Sequence, residues 1–128
     1  MLARALFALF ISIAASPADA QHLRITGTAG YLAEWELSAD VVAQPGGQEF
    51  SGSVLMKHVG LCTVNGPVEK SGKVTLHISQ SAGSSRLQAV LSLDGGDQCS
   101  YAGHWSGRST GTMDCSRAKG IPLALSVK

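Results

Sequence analysis

The chain has 128 residues, of which 15% are charged and 5% aromatic, and its formal net charge is +1. One domain fits this length and a two-domain enzyme does not. No long acidic or basic block marks a nucleic-acid or polybasic membrane surface. An apolar content of 45% is too high for a disordered chain.

Residues 1–20 read as a secretory signal peptide. Arg4 supplies the positive start, Ala5 to Ala15 is a run of small and apolar residues broken only by Ser12, and Pro17 ends it. Ala18-Asp19-Ala20 is a small-x-small cleavage site, so the expected mature chain begins at Gln21. The apolar run is too short to span a bilayer, which takes ~20 residues. Residues 21–128 contain no second such run and form the expected single domain. The alanine-rich leader suits a bacterial protein that is periplasmic or secreted. The mature part keeps all 15 glycines and five aromatics, Tyr31, Trp35, Phe50, Tyr101 and Trp105. So many glycines among few helix formers favour strands and turns.

Ala29 to Leu37 has spacing that a helix would tolerate, but Trp35 to Val41 alternates with period two. It reads as a strand with Trp35, Leu37, Ala39 and Val41 on one face. Pro45-Gly46-Gly47 makes a turn, and Phe50 to Val59 is the next strand. Gly60 to Gly72 is a longer connection around Asn65-Gly66-Pro67, with Val68 to Lys70 as a short extra strand. Lys73 to Ser79 alternates, Ser81 to Ser85 is a small-residue loop, and Leu87, Ala89, Leu91 and Leu93 face inward from the strand that follows. After the turn Asp94-Gly95-Gly96-Asp97 come Cys99 to Trp105, Ser109 to Cys115, and a final strand from Ile121 to Val127. Seven or eight short strands without crossover helices predict an all-β fold, a small antiparallel up-and-down β-barrel. A β-sandwich is the alternative. The barrel is preferred because closure removes exposed strand edges.

Beyond the leader the cysteines are Cys62, Cys99 and Cys115, and exported cysteines usually pair. Folding the hairpin about Gly107 sets Cys99 opposite Cys115, Tyr101 opposite Met113, Gly103 opposite Gly111 and Trp105 opposite Ser109. This register gathers the hairpin's apolar bulk on one side, and a slip of one residue would bury the polar set instead. A Cys99–Cys115 disulfide is therefore the favoured pairing. Cys62 with either partner is the alternative, and the unpaired cysteine is either an intermolecular linker or, as preferred, buried and inert.

Few residues suggest chemistry. Cys62 and His58 are the one Cys/His neighbourhood, four apart on a strand and too far for direct contact. His22, His58, His77 and His104 lack ligand spacing. His58 and His77 could face each other across two outward strand faces, which would allow an adventitious metal site. Glu34 and Glu36 lie on the outward face of the first strand, and Asp94 and Asp97 flank a turn, so neither pair reads as a hydrolytic acid and base. A catalytic centre, a cofactor and a metal are not expected. The candidate binding residues are Trp35, Trp105, Tyr101, His58, Glu69 and Lys70, the last two from the Gly60–Gly72 connection. The tryptophans would line or close a cavity if the barrel is hollow and pack the core if it is filled.

The expected architecture resembles the small exported calycin-type barrels: lipocalins, avidins and bacterial periplasmic inhibitors of proteases or lysozyme. The Gly-x-Trp signature of those families is not matched, because Gly30 and Trp35 are separated by four residues. The resemblance implies a barrel shape and carries over no functional residue. The resulting expectation is an exported, non-enzymatic binding barrel. Its partner would be a protein, as for an inhibitor, or a small apolar ligand, with no nucleic acid and no membrane span. The alternative is a structural or envelope-associated protein without a discrete ligand.

Overall fold

The computed structural model describes residues 21–59, 66 and 68–128. The expected leader, residues 1–20, and Cys62 lie outside the described residues. The eight strands are β1 (His22–Ala29), β2 (Trp35–Ala43), β3 (Glu49–His58), β4 (Glu69–Ser81), β5 (Ser84–Leu93), β6 (Gln98–His104), β7 (Arg108–Cys115) and β8 (Ile121–Val127). Each pairs antiparallel with the next, and β1 pairs with β8 through Ile25–Val127 to Ala29–Leu123, closing the barrel.

Alternation is what makes the interior. β5 is the plainest case: Leu87, Ala89, Leu91 and Leu93 are buried while Gln88, Val90 and Ser92 are exposed. Inward residues of all eight strands form a single core cluster, including Ile25, Leu37, Val41, Phe50, Val54, Leu76, Met113 and Leu125. At Gly52 and Gly72 an added Cβ would strike the carbonyl oxygens of Asp40 and Ser92 on the neighbouring strands. These two positions let β3 and β4 bend closely against their neighbours, as a small barrel needs.

Three boundaries differ from the sequence expectation. His22–Ala29 is a full strand, although no strand was expected there. Its inward residues are Leu23, Ile25, Gly27 and Ala29, and the glycine and alanine dilute the apolar signal. β4 begins at Glu69 instead of Lys73, so Val68 to Lys70 is no separate strand and Gly60–Gly72 is not wholly a connection. The Ser81–Ser85 loop shrinks to a two-residue turn, Ala82-Gly83, with φ of 49° and 80°. Two left-handed residues match the twist of the flanking strands and allow the ladder to continue to the turn.

β6 and β7 pair in the predicted register through Cys99 opposite Cys115, Ser100 opposite Asp114 and Tyr101 opposite Met113, and the ladder ends there, so the expected Gly103–Gly111 and Trp105–Ser109 pairs are not part of it. Cys99 and Cys115 form a disulfide. Among the described residues no helix is long and apolar enough to cross a membrane.

Candidate functional site

The two ends of the barrel differ. One end carries the β2–β3, β4–β5 and β6–β7 turns, and Trp105 packs there against the core with Leu23, Ala43 and Ile78. The middle is filled: Ile25, Leu37, Val54, Leu76, Leu91 and Leu125 are among the residues around a void of only about 10 Å³. At the other end the inward side chains of the described residues stop short of closing the barrel. They leave a cup of about 330 Å³ whose floor and walls include Trp35, Met56, Leu93, Met113, Ile121 and the disulfide. The question of a filled or hollow barrel thus resolves by position.

Strand parity determines what points into the cup. Lys70 shares the inward parity of Gly72, Val74 and Leu76 on β4, so its chain enters at the rim. Its Nζ lies 5.1 Å from the centre of the Trp35 ring and 4.0 Å from Asp97 Oδ2. Asp97 also meets Arg117 Nε at 3.2 Å and accepts a hydrogen bond from Ser116 Oγ at 3.4 Å. Two cations therefore share one carboxylate on this side of the cup. His58 is at the inward end of β3, opposite Trp35 across the β2–β3 ladder. The two rings meet edge to face at 4.7 Å, and His58 Nδ1 is buried without a partner among the described residues.

The β1–β2 loop, residues 30–34, forms another part of the rim. Gly30 donates its N–H to Pro122 O at 2.9 Å, and Ala33 donates to Gly30 O at 3.1 Å. The Glu34 carboxylate accepts the Leu32 N–H at 2.9 Å. Backbone N–H groups, first its own and then that of Leu32, hold the Glu34 carboxyl below the ordinary carboxylate range; His58 adds to the effect and burial opposes it. Gly30 has a φ of 103°, and a Cβ there would strike that carboxylate. The loop is tied at its base while Tyr31 and Leu32 are 76% and 88% exposed at its tip.

Of the six candidate binding residues, the structure brings together three: Trp35, His58 and Lys70. Glu69 points outward from β4 and pairs with Lys57 at 3.8 Å. Tyr101 is buried in the interior, where its hydroxyl shares a 2.6 Å hydrogen bond with Ser109 Oγ. Trp105 lies at the opposite end. The proposed facing of His58 and His77 is incorrect. His77 pairs with Glu49 and Gln88 near the far end, and four residues of extra β4 length shift the register that the sequence reading assumed. Glu34 is a loop residue, not an outward strand residue, while Glu36 is exposed on β2. Among the described residues no group of three His, Cys, Asp or Glu converges to hold a metal ion.

Sequence reasoning missed Met56, Met113, Asp97 and Arg117. The methionines were visible only as inward positions of strands, and the Asp97–Arg117 pair joins two loops far apart in the chain. Comparison with family models, curated proteins and solved structures finds no match to this chain.

Proposed function

We propose that this chain is an exported, non-enzymatic binding module that holds a small, largely apolar ligand in the cup. The observation that carries this reading is the contrast within one barrel. The middle is packed to a void of about 10 Å³, whereas the rim end retains about 330 Å³. That volume is at the lower end of ligand cavities. Its walls are mostly apolar, with the charged groups Glu34, Lys70, Asp97 and Arg117 among its lining, a mixture such cavities have. A disulfide beside the cup is compatible with an oxidising compartment and fixes two of its wall strands.

Calorimetric titration with decanol tests the reading. Saturable one-to-one binding is expected. Ala118 lines the cup from the exposed β7–β8 loop. Ala118→Trp should occlude the cup without altering the core and weaken binding at least tenfold. Saturable binding that Ala118→Trp leaves unchanged would place the ligand elsewhere.

A protein partner gripped by the rim is the second reading. The exposed Tyr31 and Leu32 on a tied loop favour it. In that case decanol gives no saturable heat.

A further inference from the structure

We infer that the ligand of the cup is a small amphipathic monoanion, with its apolar body against Met56, Met113 and Leu93 and its acid group between Lys70 and Arg117. This deepens the small-ligand reading and rests on it.

Four charged side chains line the cup: Glu34, Lys70, Asp97 and Arg117. Glu34 is engaged by backbone N–H groups of its own loop. The other three form one cluster in which Asp97 serves both cations, at 3.2 Å to Arg117 and 4.0 Å to Lys70. The longer contact is an ion pair but not a hydrogen bond, so among the described residues the Lys70 ammonium donates no hydrogen bond. Lys70 also lies over the Trp35 ring, which holds the ammonium at the boundary between apolar wall and rim. Arg117 also lines the cup, its side chain is 79% exposed, and its guanidinium carries further N–H donors beyond the Nε that meets Asp97. A carboxylate entering there would gain charge-assisted hydrogen bonds from both groups. A neutral head would gain less, and a cationic head placed between Lys70 and Arg117 would meet two like charges, with Asp97 already paired to both and Glu34 bonded to its own loop.

The test uses Trp35 fluorescence in a Trp105→Phe background, which removes the indole at the opposite end. Decanoate, decanol and decyltrimethylammonium share one chain and differ in head group. Decanoate is expected to bind at least tenfold more tightly than decanol, and decyltrimethylammonium more weakly than either. Lys70→Met and Arg117→Met should each bring the decanoate-to-decanol ratio toward unity; Arg117 lies on an exposed loop, so its variant carries little risk of misfolding. Equal affinity for decanoate and decanol, or tighter binding of the cation, would overturn the anion assignment and leave the cup as an apolar site. Binding of none of the three would overturn the cup reading itself, and the anion assignment with it.

Discussion

Tyr101 is a candidate binding residue by type and a core residue by position. Its side chain lies against Gly103, where an added Cβ would collide with its hydroxyl, and against Gly111, where a Cβ would fit only tightly, and its hydroxyl finds Ser109 at 2.6 Å. The sequence register placed Gly103, Gly111 and Ser109 on one inward side with Tyr101, so the neighbourhood was legible, but the hydrogen bond was not. A small residue across a strand pair makes room for a large one without indicating how the large one lies. Tyr101→Phe leaves the Ser109 hydroxyl buried and unpaired, at a cost of about 1–3 kcal/mol. Combining it with Ser109→Ala should cost less than the sum of the two single changes, as read by urea denaturation. Additive losses would show that the hydrogen bond contributes nothing. Ala82 presents the opposite case. Its φ of 49° is left-handed, which a Cβ disfavours by about 1–2 kcal/mol. Ala82→Gly or Ala82→Asn should therefore raise Tm, and an unchanged or lower Tm in both would contradict the turn geometry.

At the scale of elements, the β6–β7 hairpin was the most legible part of the chain, because polar and apolar residues separate cleanly in only one register. The disulfide follows from that register. Replacing both cysteines by alanine should destabilise the protein by about 3 kcal/mol on the loop-entropy estimate, measured by thermal unfolding, with wild type in reductant showing a comparable loss. The β1–β2 loop was not legible. Its shape depends on where Glu34 finds N–H donors, and the Tyr31 and Leu32 tip gains nothing from the core. Because the folded carboxyl is the stronger acid, its contribution is complete above the ordinary glutamate range and disappears as pH falls through the lower folded value. The Leu32 amide proton shift should therefore titrate below that ordinary range, and Glu34→Gln should abolish the titration. A midpoint within the ordinary range would contradict the cap.

For the whole molecule, alternation and turns were enough to predict a closed antiparallel barrel of seven or eight strands, and the structure has eight. Where the barrel is filled and where it is hollow depends on register around the full circumference. The unexpected β1 and the early start of β4 supply that register. Trp35 and Trp105 looked equivalent in the sequence, yet one lines the cup and the other packs the opposite end. The cup as a binding site is the central claim, and the chain provides its own reporters. Beyond Met1 its two methionines are Met56 and Met113, and both line the cup. Spectra of methyl-¹³C-methionine protein titrated with decanoate test the claim most directly. Both methyl signals should shift together and saturate at one ligand per chain, whereas unmoved methyl signals in the presence of bound decanoate would contradict the account.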